Sequence, residues 1–138
     1  MSDRRTILLV ENDPADAELT RQALRRCDAN LELVVEHTGD GAIERLKSSS
    51  PGPDLVLLDL NMPGTDGRAV LAEVRKHETT RTLPIIVLST SNNPADVVAS
   101  YAAGANAFLT KPMGFSERVR AVSALCEFWF ETARLPAP

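Results

Sequence analysis

Polar side chains that could carry out phosphoryl chemistry stand directly after short apolar runs of this sequence. They are Glu11, Asn12 and Asp13 after the first run, Asp59 after the third, Ser89 and Thr90 after the fourth, and Lys111 after the fifth. The acids and Asn12 offer hard oxygen ligands, which suit Mg²⁺ held by few protein groups and several waters. In such a site Asp59 would attack phosphorus, while Mg²⁺, Lys111 and a hydrogen bond from Ser89 would stabilise the phosphoryl oxygens. The pattern therefore predicts a metal-dependent phosphoryl site.

The apolar runs themselves predict five β-strands. They lie at residues 7–10, 31–35, 55–58, 85–88 and 107–109. The first, third and fourth are unbroken aliphatic segments, as expected of central parallel strands covered by helices on both faces. Helices are predicted between the runs, and two of them have strong start signals at Asp13-Pro14 and Asn93-Pro94, where a capping side chain precedes proline.

Weaker helical patterns complete the alternation of strands and helices. They cover about residues 40–49, 66–77 and 115–133. The order is therefore (βα)5, which predicts an α/β fold with a doubly wound, five-stranded parallel sheet in the flavodoxin-like order 2-1-3-4-5. Ligands of such sheets bind at the carboxyl ends of the strands, which is where the polar residues above would meet.

Length and composition predict one domain over residues 1–138, with a folded core at about 5–133 and a tail at 134–138. A net charge of −4 without a Lys/Arg cluster argues against direct binding of nucleic acid. Cys27 and Cys126 fit neither a redox motif nor a zinc site. The N-terminal apolar segment is too short for a signal peptide or a membrane span, so we expect a cytoplasmic protein without membrane association.

In order and spacing, these residues resemble the receiver domain of two-component response regulators over about residues 5–131. The resemblance rests on segments 8–13 and 57–67, on Ser89 and on Lys111-Pro112. It implies that a partner sensor histidine kinase phosphorylates Asp59. Ser89 would then be the switch hydroxyl, and Lys111 would be the cation that binds the phosphoryl group.

The same resemblance implies further roles. Phe108 holds the family's aromatic switch position, Thr90 would offer its backbone N–H to a phosphoryl oxygen, and Asn61 would offer its backbone carbonyl to the metal. The implied cofactor is Mg²⁺, and its candidate ligands are Glu11, Asn12, Asp13, Asp59 and Asn61. Apart from its own phosphorylation and autodephosphorylation, such a protein is not an enzyme.

Asn12 departs from the family pattern, because the family's direct metal-ligating aspartate falls at this position. An amide ligates through a neutral oxygen and removes one negative charge. We therefore expect weaker Mg²⁺ binding unless Asp13 reaches the ion. The sequence leaves open which of these two residues meets the metal.

Three adjacent aromatic residues predict a second functional surface near the C-terminus. Successive helical residues point about 100° apart, so one core-facing stripe cannot bury all three. We expect Trp129 to help cover the sheet and a neighbouring stripe with Leu125 and Phe128 to face a partner. The predicted interface of a homodimer consists of Leu125, Phe128, Trp129 and Phe130. This segment also resembles the stand-alone receivers of bacterial phytochrome kinases, which makes a bacteriophytochrome the expected kinase.

Two alternative functions stay open. A phosphatase of the haloacid dehalogenase type also uses a strand-end Asp with Ser/Thr and Lys, but it needs a second acid where this chain has Asn61. A pseudo-receiver that has lost phosphorylation, and acts as a dimeric interaction module, is favoured only by Asn12.

Overall fold

The computed structural model describes residues 4–28, 30–48 and 51–136, in which strands and helices alternate. The strands are β1 (Thr6–Val10), β2 (Glu32–Glu36), β3 (Leu55–Leu58), β4 (Ile85–Ser89) and β5 (Ala107–Thr110). The α-helices are α1 (Pro14–Cys27), α2 (Gly39–Ser48), α3 (Gly67–Lys76), α4 (Pro94–Ala103) and α5 (Phe115–Glu127). A short π-helix (Phe128–Thr132) continues α5. The predicted (βα)5 order is confirmed, and each strand boundary lies within one residue of its prediction.

All strand pairs of the sheet are parallel, and the strand order is β2-β1-β3-β4-β5. This is the predicted flavodoxin-like order. Every residue of β3 and β4 is buried, whereas the edge strands β2 and β5 are partly exposed. The unbroken aliphatic runs therefore mark the interior strands, because helices cover both of their faces.

Two hydrophobic cores lie on opposite faces of the sheet. Side chains alternate between the faces along a strand, so Leu8 and Val10 enter one core while Ile7 and Leu9 enter the other. The first core packs against α2 and α3, and the second packs against α1 and α5. Helices therefore cover both faces of the central strands, as the sequence predicts.

Capping side chains start the helices that leave the carboxyl edge of the sheet. Asp13 Oδ1 accepts a hydrogen bond from the Ala15 N–H at 3.0 Å, and Asn93 Oδ1 accepts one from the Ala95 N–H at 3.0 Å. Both predicted helix starts are confirmed. Asp66 caps α3 in the same way, a start signal that our reading of the sequence missed.

The C-terminal helix differs from the continuous helix predicted over 115–133. Its α-helical part ends at Glu127, and the Ala133 N–H then donates to the carbonyl of Phe128 at 2.6 Å, the spacing of a π-helix. The sequence predicts that Leu125 faces a partner, but it is buried in the second core. That prediction is wrong, because α5 lies against α1 and turns this position towards the sheet.

The aromatic residues after Leu125 divide between the core and the surface. Trp129 and Phe130 pack partly against the second core, and Arg5 lies over the ring of Phe130 at 5.7 Å. Phe128 is 51% exposed. The expectation that at least one member of the aromatic triplet faces outwards is confirmed.

The remaining expectations concern the cysteines, the tail and the membrane. Both cysteines are free thiols, and burial raises the pKa of Cys126 to about 12. In the predicted tail, residues 134–136 belong to no helix or strand, and residues 137–138 lie outside the described residues. Within the described ranges, no helix has the length and apolar character needed to cross a bilayer.

Candidate functional site

The carboxyl ends of the strands open into one cleft, as predicted. Its walls are lined by Glu11, Asn12, Asp13, Asp16, Asp59, Asn61, Thr90, Lys111 and Met113. The cleft thus brings together most of the predicted site residues, from loops far apart in the chain. Ser89 and Phe108 lie outside its walls, and our reading of the sequence assigned no role at this cleft to Asp16 or Met113.

Asp59 stands at the end of β3 in a loop that the core anchors. Its backbone N–H donates to the carbonyl of Val10 at 3.0 Å, and the residue is only 7% exposed. The alternation of side chains between the core and the cleft continues past the strand. Leu60 and Met62 are buried in the first core. This alternation leaves Asp59 and Asn61 at the cleft.

Gly67 lets the first turn of α3 approach the backbone of Asp59. A Cβ at this position would lie 2.5 Å from the carbonyl oxygen of Asp59, so any other residue would displace the loop. The Gly67 N–H donates to the carbonyl of Leu60 at 3.0 Å. Gly67 has no predicted role of its own, although an Asp-Gly pair before an apolar periodic segment is a sequence signal for a capped helix start.

Lys111 forms the cationic part of the cleft. Its Nζ donates to Glu11 Oε1 at 2.6 Å and to a carboxylate oxygen of Asp16, and the residue is 6% exposed. Burial by itself would lower the pKa of Lys111, but the hydrogen bonds to Asp16 and Glu11 raise it above its ordinary value. Lys111 therefore carries its positive charge at neutral pH.

Arg118 and Asp16 extend this ionic contact away from the cleft. Arg118 projects from α5 and is 1% exposed, and its Nη1 donates to Asp16 Oδ1 at 3.0 Å. Neither residue was predicted at the site. Asp16 stands in the first turn of α1, where an acid also favours the helix itself.

Glu11 lies at the end of β1, buried beneath the cleft. Burial raises its pKa to about 7, against the opposing effect of the Lys111 ammonium. Its second oxygen, Oε2, accepts a hydrogen bond from the Asp13 N–H at 3.3 Å. A cation in the cleft would therefore compete with a proton for Glu11 near neutral pH.

Asn12 and Asp13 differ in their surroundings. Asn12 is half-buried, whereas Asp13 is exposed and one of its oxygens caps α1. In the described part of the chain, no three His, Cys, Asp or Glu side chains form a group that could hold a metal ion. A cation here would also need oxygens of Asn12 and Asn61 and water. The all-oxygen donor set with few carboxylates still fits Mg²⁺ or a similar hard cation.

Comparison with known proteins assigns this architecture to a family. The model of the response regulator receiver domain matches residues 7–123. The chain belongs to this receiver family. Receivers are signalling modules, and this excludes the phosphatase alternative.

The similar proteins include single-domain regulators. The chain is 39% identical to the response regulator Rcp1 of Synechocystis sp. over 96% of its own length and 94% of that protein's. A solved structure of Rcp1, described as its Mn²⁺-bound form, has a TM-score of 0.86 and covers 96% of this chain and 99% of that one.

Two further solved structures come from phytochrome-associated regulators. The phosphorylated cyanobacterial phytochrome response regulator RcpA is 38% identical, with a TM-score of 0.90 and coverage of 97% of this chain and 99% of that one. The bacteriophytochrome response regulator AtBRR is 39% identical, with a TM-score of 0.73 and coverage of 99% and 100%.

The predicted switch hydroxyl of this receiver lies behind the cleft wall. Ser89 is fully buried, and its Oγ accepts a hydrogen bond from the Ser91 N–H at 3.1 Å. The Ser91 hydroxyl in turn donates to Asp96 at 2.6 Å, and Arg68 of α3 pairs with the same carboxylate at 2.6 Å. The loop after β4 is thereby tied to both α3 and α4.

Phe108, the predicted aromatic switch residue, lies on the edge strand of the receiver. It is half-buried and packs against the first core. Its backbone N–H donates to the hydroxyl of Tyr101 on α4 at 3.2 Å. The switch role itself stays a prediction, as do the individual roles of the other site residues.

Proposed function

We propose that this receiver accepts a phosphoryl group on Asp59 from a sensor histidine kinase and passes the signal on by protein contact. The observation that carries the proposal is the placement of Asp59 at the cleft beside the buried ammonium of Lys111. A nearly buried carboxylate with a cation and oxygen ligands around it suits phosphoryl transfer, in which alignment and charge balance supply most of the catalysis.

In the proposed step, an oxygen of Asp59 bonds to phosphorus as the phosphorus–nitrogen bond of the kinase phosphohistidine breaks. The electron pair of that bond stays on the imidazole, which takes up a proton. Lys111 would bind one phosphoryl oxygen, while the Ser89 hydroxyl and the Thr90 backbone N–H would donate to others. Glu11, Asp59, Asn61 and one of Asn12 and Asp13 would hold Mg²⁺, which would supply positive charge to the phosphoryl oxygens. Water would later hydrolyse the acyl phosphate, with the Asn61 side chain influencing the rate.

We further propose that the kinase is a bacteriophytochrome in the cytoplasm. This rests on the descriptions of RcpA and AtBRR as phytochrome response regulators, together with coverage of nearly the whole of each chain. The kinase would supply the phosphoryl group, and the phosphorylated receiver would signal through contact between its surface and another protein.

We propose a homodimer formed through α5 and the π-helix. Phe128 is exposed there, and the centroid of its ring lies 5.2 Å from that of Trp129 in an edge-on arrangement. Aromatic side chains are enriched at the centres of protein–protein interfaces. Phe130 would lie at the same contact, whereas Leu125 would support it from the core.

The proposed function is tested by intact mass after incubation with acetyl phosphate and Mg²⁺. The wild type should gain the mass of one phosphoryl group, and Asp59→Asn should gain none. Light scattering on the same samples would show whether phosphorylation changes the oligomeric state. If the wild type gains no mass, the proposal fails, and the pseudo-receiver alternative with its helical interface takes its place.

A further inference from the structure

A closed ring of contacts links Lys111 to the two helices that flank the second core. Asp16 of α1 uses one carboxylate oxygen for the Lys111 ammonium and the other for Arg118. Arg118 also donates to the carbonyl of Pro112 through Nε at 3.0 Å and Nη2 at 2.7 Å. Since Pro112 follows Lys111 in the chain, Arg118 holds both the backbone after the lysine and the partner of its side chain.

Burial makes this arrangement stiff. Arg118 is 1% exposed, so its guanidinium is shielded from bulk water. Its Nη1 also donates a hydrogen bond to the Thr20 hydroxyl at 3.1 Å. The planar fork of arginine binds several acceptors at fixed angles, so Asp16 and the Pro112 carbonyl are held relative to one another. Asp16 is therefore a fixed acceptor for Lys111.

The lysine needs such a fixed acceptor. Its stem is long and flexible, and an ammonium bound only to Glu11 could pivot about that contact. Two carboxylates take two of its three N–H groups, which leaves one for an oxygen on Asp59.

We propose that Asp16, held by Arg118, is a positioning residue that aims the Lys111 ammonium at the phosphoryl group on Asp59. This inference rests on the proposed phosphorylation of Asp59. It adds Asp16 and Arg118, neither of which touches the phosphoryl group, to the residues on which the reaction depends.

If Asp16 acted only through its negative charge, its removal would speed up phosphorylation of Asp59. A dianionic phosphoryl group is repelled by a nearby carboxylate, so neutralising Asp16 would favour phosphorylation if charge were its only influence. If Asp16 positions Lys111, its neutralisation slows the reaction. The sign of the effect therefore separates the two explanations.

The test compares the wild type with Asp16→Asn in acetyl phosphate and Mg²⁺, following the rate by intact mass. We expect the rate to fall by roughly ten- to a hundredfold, the loss typical of a misplaced catalytic group. Glu18→Gln is the matched control, because Glu18 is an exposed acid on the same helix that pairs only locally with Arg21 and Gln22. Its rate should equal that of the wild type.

The second arm asks whether Asp16 acts through Lys111. In a Lys111→Met background, Asp16→Asn should cause no further loss, whereas a merely structural role would slow the double variant again. Circular dichroism and thermal unfolding check that each variant is folded. Should Asp16→Asn fail to fold, Arg118→Lys replaces it, since lysine keeps the charge but cannot hold Asp16 and Pro112 together; it should weaken binding of beryllofluoride, a phosphoryl mimic, by at least tenfold.

An Asp16→Asn rate equal to or above that of the wild type would overturn the inference, as would a further loss in the Lys111→Met background. In either case, phosphorylation of the wild type would leave the proposed function intact. A wild type that takes up no phosphoryl group would overturn both.

Discussion

Asn12 sets the charge of the proposed cation site. We expect Asn12→Asp to tighten Mg²⁺ binding by roughly tenfold, because a carboxylate replaces a neutral amide among the ligands. A Mg²⁺ titration followed by the fluorescence of Trp129, or by the rate of phosphorylation, measures the change.

Asp13→Asn provides the matched control for Asn12. Asparagine also caps helices, so α1 should start unchanged, and Mg²⁺ binding should weaken far less than it strengthens in Asn12→Asp. Equal Mg²⁺ affinities in the wild type and Asn12→Asp would show that this position does not meet the ion.

Glu11 makes Mg²⁺ binding depend on pH. Its pKa of about 7 means that the carboxyl is largely protonated at pH 6 and largely ionised at pH 8. Since the metal displaces that proton, the apparent Mg²⁺ affinity should rise by roughly tenfold between these values and then level off. Isothermal titration at several pH values measures this.

Two variants identify the group responsible for the pH effect. Glu11→Gln should bind Mg²⁺ weakly and with little change over the same range. The second variant concerns His37, whose Nδ1 lies 2.9 Å from the carbonyl oxygen of Glu11; because Glu11 is the group that the metal displaces a proton from, His37→Gln should keep the wild-type dependence. A flat profile in His37→Gln would assign the effect to the histidine.

At the scale of secondary structure, Asn93 ends the loop after β4 and caps the first turn of α4. Asn93→Ala should lower the free energy of unfolding by about 1 kcal/mol, because the Ala95 N–H loses its acceptor. Chemical denaturation followed by circular dichroism measures the loss. Asn93→Asp keeps a capping oxygen and should leave stability close to that of the wild type; an equal loss in both variants would mean that the cap is not the cause.

On the scale of the whole molecule, Phe128 tests the proposed dimer. Phe128→Asp places a charge at the centre of the predicted contact, so it should convert a wild-type dimer into monomers in size-exclusion light scattering. Val98→Asp is the control, because Val98 is 69% exposed on α4, whose Ala103 packs against the first core and not the second, and its variant should dimerise normally. A monomeric wild type in both phosphorylation states would contradict the dimer.

Much of the molecule was predictable from local patterns. Unbroken aliphatic runs indicate buried parallel strands, and a capping residue before proline indicates a helix start. Each of these signals lies within a few consecutive residues, so it can be read without knowledge of the tertiary structure. The meeting of Asp59 and Lys111 at one cleft also followed, since parallel strands end at the same edge of a sheet.

What only the tertiary structure decided is which partner each buried group takes. Asp16 and Lys111 stand 95 positions apart, and Asp16 and Arg118 stand 102 apart, so their contacts depend on how α1 packs against α5. The same packing buries Leu125 and leaves Phe128 outside. Helical periodicity states which residues share a face, but the neighbouring helix determines which face is covered, and buried charges pair with whatever that packing brings within reach.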